Sequence, residues 1–205
     1  MTLRLHGAPA SPYVRKVRVL LAEAGQTDAV AFVTVAGSPF DTGTMPIGHN
    51  PLGRIPTLER DDGPAIHDSR VICRYLDDLY GAGLYPAPPA LWSVLTLEAT
   101  AEGMLDTAVA MVYERRLRDP AQVSEALLDA WWARITRTLS AIEGRWMAHL
   151  AGRLDMAQVA VGVALSYLDF RHGTRQWRPD HPALAAWHAD FAMRPSMMMT
   201  DPEAG

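Results

Sequence analysis

The chain has 205 residues, of which 49% are hydrophobic and 20% charged, with a formal net charge of −4 at pH 7; this suits a globular protein of one large domain or two small ones. Such a charge excludes a sequence-independent grip on nucleic acid, which needs a basic face to displace counterions, and the single cysteine excludes an internal disulfide or a zinc site built on cysteine pairs. Residues 1–10 lack the apolar core of a signal peptide and the nearly apolar stretch 159–165 is too short to span a bilayer, so a soluble cytoplasmic protein with no membrane partner is predicted.

Thr2-Leu3-Arg4-Leu5-His6 alternates apolar and polar residues and ends at Gly7, which predicts a short strand. His6 is read as a strand histidine, and no metal site is predicted. Ser11 is then a good N-cap and Pro12 suits the first helical position, where its missing N–H costs nothing. Val14, Val17, Leu20, Leu21 and Ala24 follow at helical spacing, and Gly25 supplies the stop. The positive end of this helix, beside the Ser11 hydroxyl, is a place for a thiolate. Donor to sulfur and structural cap are set here as alternative jobs for that hydroxyl; from the local residues alone, the structural cap is the default.

Residues 29–35 read as a second strand, apolar and β-branched, so the chain opens with a β-α-β unit and parallel strands. The stretch 37–53 shows no period and is predicted to be irregular surface backbone. In Asn50-Pro51-Leu52-Gly53-Arg54-Ile55-Pro56, the second proline stands just before a strand, where a cis bond is tolerable; it would turn the Ile55 backbone outward, free to pair with a peptide-like ligand. A plain trans turn proline is the alternative. Asp61-Asp62-Gly63 marks a hairpin turn, and Asp68-Ser69 opens a helix with Val71, Ile72, Tyr75, Leu76 and Leu79 on its apolar face. Ser69 and the free amides there suit a ligand carboxylate and Asp68 an ammonium, unless both residues are caps only. Cys73, mid-helix, reads as a small buried thiol.

A Gly- and Pro-rich linker at 81–89 separates an α/β domain over 1–80 from an all-α domain over 90–205, with helices near 90–118, 121–150, 155–172 and 182–193. Asp155 and Gln158 are spaced as a capping box for a buried spine helix. The tryptophans at 131, 132, 146, 177 and 187 read as packing residues, Arg115, Arg116 and Arg118 as a solvated basic face, and Met197 to Met199 as a flexible apolar tail over a pocket.

The order β-α-β, X-Pro, β-hairpin, helix opening on Asp-Ser, linker, all-α domain resembles the cytosolic glutathione S-transferases along nearly the whole chain. Ser11 to Arg18, Asn50 to Pro56, Asp68 to Ile72 and Tyr167 to Arg171 carry the resemblance. It implies a thioredoxin-like first domain that takes glutathione as co-substrate, with Ser11 activating the thiol. It further implies a cis-Pro56 exposing the Ile55 backbone to the cysteinyl part, Arg54 among the binding residues, and Asp68 and Ser69 on the γ-glutamyl end. A detoxifying transferase working on a small electrophilic substrate follows, in a twofold dimer, with the electrophile pocket lined by Met104, Val109 and Tyr113 and by the tail. A glutathione-dependent isomerase, lyase or dehalogenase, or a non-catalytic binding protein of this fold such as the stringent-starvation type, is the alternative. Among related bacterial sequences lysine often precedes the Ile-Pro step, where this chain has Arg54, which keeps the charge and alters its geometry. The Ser-Ser-Cys signature of the zeta-class isomerases and the beta-class cysteine are both missing.

Overall fold

The β-α-β opening is present in the computed structural model, which describes residues 2–202. Strand β1 (Leu3–Gly7) leads into helix α1 (Pro12–Glu23), and β2 (Val30–Thr34) returns parallel to β1 with Leu3 opposite Val30. Strand β3 (Thr57–Arg60) lies antiparallel on the other side of β1, and β4 (Ile66–His67) pairs antiparallel with β3, giving the sheet order β2-β1-β3-β4. Leu3, Leu5 and Leu58 are buried with Val14, Val17 and Leu20 of α1 and Ile72 and Leu76 of α2 (Ser69–Tyr80). Each such side chain contributes about 1.5–3 kcal/mol by leaving water. Gly7 sets how close the strand comes to the helix: a Cβ there would stand 2.7 Å from a Val14 methyl. Only a bare Cα lets the chain turn from β1 toward Ser11 at this distance.

The described residues divide into two compact units. The first runs to Tyr85 and takes up the chain again from Pro195; the second is Pro86–Arg194. The break thus falls inside the linker expected at 81–89, but the tail departs from the expected 90–205 assignment. Pro195–Met198 forms a short helix, α7, packed on α1. Arg15, buried in α1, donates to the Met197 carbonyl at 2.9 Å and to Asp201 at 3.4 Å, and Ser196 bonds Glu23. The tail is therefore a fixed part of the first unit, because a buried guanidinium needs those acceptors. The apolar character of Met197 to Met199 hid this role.

The second unit is helical, as the periodicity predicts: α3 (Leu91–Leu117), α4 (Glu125–Leu150), α5 (Met156–His172) and α6 (Pro182–Ala192). No helix among the described residues is long and apolar enough to cross a membrane. Every residue of α5 from Met156 to Leu165 is buried, and at Gly162 a side chain would collide with the Phe191 ring of α6. Asp155 caps α5, accepting from Ala157 N–H at 2.9 Å and Gln158 N–H at 3.1 Å. The capping box, however, is not formed. Instead of reaching back to the cap, the Gln158 amide donates to the carbonyls of His149, Gly152 and Arg153, satisfying acceptors where α4 ends. The arginines at the end of α3 are likewise less free than expected. Arg115 makes a two-pronged pair with Glu125 and Arg118 pairs with Glu114.

Candidate functional site

Three segments of the first unit carry the residues singled out by sequence: the start of α1, the turn before β3 and the start of α2. Ser11 sits with extended backbone (φ −80°, ψ 122°) and its own N–H donates to the Ala8 carbonyl at 3.0 Å. Its hydroxyl oxygen accepts from Val14 N–H at 3.4 Å, long for such a bond. A hydroxyl has one proton to give and two lone pairs, so capping does not consume the donor. Cap and donor to sulfur, set apart as alternatives from the sequence, are compatible.

The turn from Asn50 to Thr57 is held by two buried polar side chains. Asn50 donates through Nδ2 to the Arg54 carbonyl at 2.9 Å and to Thr57 Oγ1 at 3.2 Å, while its Oδ1 accepts from Leu52 N–H at 3.1 Å. Thr57 Oγ1 also donates to the Arg54 carbonyl at 3.0 Å. Asn50 is 1% exposed and Thr57 fully buried, so these bonds form away from competing water. Between them the Ile55–Pro56 bond is cis, and Ile55 makes no backbone–backbone hydrogen bond among the described residues outside helices and strands. The Arg54 side chain is exposed, Ile55 half-buried and Pro56 buried. Asn50 and Thr57 are positioning residues that the sequence reading passed over. The available signal was the side-chain turn chemistry of an Asn two residues before a Leu-Gly step.

At the third segment Asp68 is the N-cap of α2, with φ +71°, and Ser69 is buried as the first helical residue. Asp68 Oδ1 accepts from the Arg70 backbone N–H at 2.9 Å and from Arg70 Nε at 3.1 Å, and Oδ2 accepts from Nη2 at 2.9 Å. The Arg70 side-chain hydrogen bond, outweighing desolvation, holds the Asp68 carboxyl below its ordinary range. With three of its oxygens' roughly four acceptor positions turned to Arg70 and its side chain 41% exposed, the carboxylate keeps one position for an ammonium. That Arg70 is its partner was not legible beforehand. In the helical unit, Met104 of α3 is buried, Val109 half-buried and Tyr113 exposed, so these three stand at different depths.

Comparison with known proteins adds to this geometry. Residues 10–79 match the family model described as "Glutathione S-transferase, N-terminal domain", and residues 125–190 match "Glutathione S-transferase, C-terminal domain". The "Uncharacterized GST-like protein YibF" of Escherichia coli (strain K12) is 30% identical over 204 residues, covering 98% of each chain. A crystal structure of a glutathione transferase family member from Pseudomonas fluorescens Pf-5 with bound glutathione is 45% identical, with a TM-score of 0.94 over 98% of this chain and 99% of that one. A glutathione S-transferase from Methylobacillus flagellatus KT with glutathione bound is 32% identical, with a TM-score of 0.86 over 98% of this chain and 100% of that one.

Proposed function

Because the chain belongs to the glutathione S-transferase family, we propose that it is an enzyme conjugating the glutathione thiolate to a small electrophilic substrate. The observation that carries this reading is the Ser11 hydroxyl at the N-terminus of α1, which caps its helix by a long bond and retains its proton. Glutathione bound in a 45% identical structure of the same fold supports it.

In this reading Ser11 donates to the sulfur and the α1 dipole adds positive potential. Lowering a thiol pKa by about two units takes roughly 2.7 kcal/mol of differential stabilisation. A hydroxyl bond to a charged group supplies about 1.5–3 kcal/mol and a helix end roughly 0.3–1. The two together suffice. The Ile55 N–H and C=O pair with the cysteinyl backbone as a neighbouring strand would. Asp68 receives the γ-glutamyl ammonium, Ser69 and the first-turn amides of α2 receive its carboxylate, and exposed Arg54 adds a cation to the binding residues. The thiolate then attacks the electrophilic carbon, forming an S–C bond as the leaving group departs or the adjacent carbon is protonated. The electrophile is assigned to the helical unit, with Met104, Val109 and Tyr113 of α3 as candidate contacts, and the working form to a cytoplasmic twofold dimer.

The test is retention on immobilised glutathione, equilibrium binding of free glutathione, and turnover against a panel of electrophiles. Saturable binding with thioether formation is expected. No binding would overturn the reading; binding with isomerisation, elimination or halide release in place of conjugation would reassign the reaction on the same site.

A further inference from the structure

His6, Glu59 and His49 converge on one face of the sheet, and none of them has a part in the glutathione reading. Arg4 and His6 share a face of β1, and Glu59 of β3 stands directly opposite Arg4. The carboxylate spans both: Arg4 Nη1 lies 2.7 Å from Oε1 and His6 Nε2 2.9 Å from Oε2. The turn at 46–50 lays the His49 ring over His6, centroids 5.6 Å apart and 29° from parallel, with its Nε2 3.8 Å from the same Oε2. All three ligand atoms fall within 4.8 Å of one another.

We propose that these residues form a divalent transition-metal site of the zinc type, ligated by Nε2 of His6, Nε2 of His49 and Oε2 of Glu59, with a fourth position left to water. Two imidazoles and a carboxylate are a donor set suited to Zn²⁺, with Ni²⁺ and Cu²⁺ as competitors, and poorly suited to Mg²⁺ or Ca²⁺. Metal–ligand bonds of about 2.0–2.2 Å at a tetrahedral centre require donors roughly 3.3 Å apart. The separations of 2.9 Å and 3.8 Å to Oε2 bracket that value. Paired strands fix His6 and Glu59, so closure falls to His49, whose side chain is 47% exposed on its turn. To ligate, His6 carries its ring proton on Nδ1 and gives up its bond to Glu59 for the metal. Arg4, holding Oε1, leaves Oε2 as the ligand oxygen and fixes its orientation; its charge works against a cation and is offset by the carboxylate between them. The sequence predicted no metal site because His6 is more than forty positions from both His49 and Glu59 and the three come from a strand, a turn and another strand.

The experiment uses the full-length chain without an affinity tag, stripped with a chelator and free of glutathione, whose thiol binds zinc itself. Zn²⁺ is titrated in competition with a chromogenic indicator, and Co²⁺ is added separately to read the visible bands of a four-coordinate nitrogen and oxygen site. One Zn²⁺ per chain is expected, with affinity reduced at least tenfold in His49→Ala and in His6→Gln. His67→Ala removes a histidine from β4, two strands away from His6 in the sheet, and should leave binding unchanged. His49 lies on an exposed turn, so its variant is expected to fold, and thermal denaturation checks this. Failure of the wild-type chain to compete with the indicator at micromolar zinc overturns the proposal, as does binding that survives His49→Ala or is lost equally in His67→Ala.

Discussion

The helix starts of α1 and α5 are both capped by a small polar side chain, yet they are finished differently. At α5, Asp155 accepts from two amides at 2.9 and 3.1 Å, and Gln158 ties off three carbonyls of the preceding turn. At α1, Ser11 makes a single cap bond of 3.4 Å and keeps a proton to donate. A start whose polar groups are saturated by the chain itself has little left for a ligand and contributes to stability; one left under-used contributes less to stability and has something to offer. The difference separates a structural helix end from a candidate binding end within one molecule.

Replacing Ser11 by Ala should break the comparison most visibly. Turnover at neutral pH is expected to fall about a hundredfold, the scale for losing one donor to a developing or bound anion, with glutathione affinity nearly unchanged and stability lowered by only about 0.5 kcal/mol, the low end for a cap. The loss should shrink as pH rises and the thiol ionises unaided. Thiolate absorbance of the binary complex against pH, in wild type and variant, reads this directly. A titration that does not move would leave the first-turn backbone amides, or Tyr13, as the activating group.

Asp155→Ala is the mirror experiment. It should cost about 2 kcal/mol of stability, the upper end for a cap, because two short bonds are lost. Glutathione affinity should stay at the wild-type value. Urea denaturation alongside equilibrium binding separates the two readouts, and a weakened affinity would show that the contrast between the helix starts is false.

Asp68 sits between these extremes, since its carboxylate is part cap and part candidate ligand contact. Asn caps as well as Asp and tolerates positive φ. Asp68→Asn is therefore expected to keep the cap, lower the melting temperature only by the small contribution of the Arg70 pair, and weaken glutathione about tenfold, roughly the 1.4 kcal/mol that a tenfold change represents. Equal affinity in Asp68→Asn would make the residue a cap only. The smallest expected effect is on acid stability. Arg70 holds the folded Asp68 carboxyl below its ordinary value, so between the two values the unfolded chain binds more protons. The stabilisation is complete above about pH 3.9 and is lost as pH falls through the lower folded value. Asp68→Asn should flatten that part of the acid denaturation curve, and an unchanged curve would mean the Arg70 bond adds nothing to folding.

Local chemistry decided what could be read from the chain alone. Ser11-Pro12, Asp68-Ser69 and Asp155 announce helix starts because a cap acts on amides two or three residues away, and the apolar spacing that follows is a property of a single helix. The order of elements and the all-α second half were legible for the same reason, whereas the cis Ile55–Pro56 bond was implied by the family resemblance, local chemistry leaving a trans turn proline as the alternative. What the tertiary structure alone decided lies in contacts whose partners are brought together by register and packing. Glu59 meets His6 and Arg4 because β1 and β3 pair in one antiparallel register, and a shift of one residue would send Glu59 to the opposite face. Gln158 abandons the capping box because the end of α4 brings three carbonyls within its reach. The tail joins the first unit because buried Arg15 requires acceptors that neighbouring residues of α1 do not supply. A side chain's partner far along the chain depends on where the backbone has already placed both, and that placement is a result of folding the whole unit.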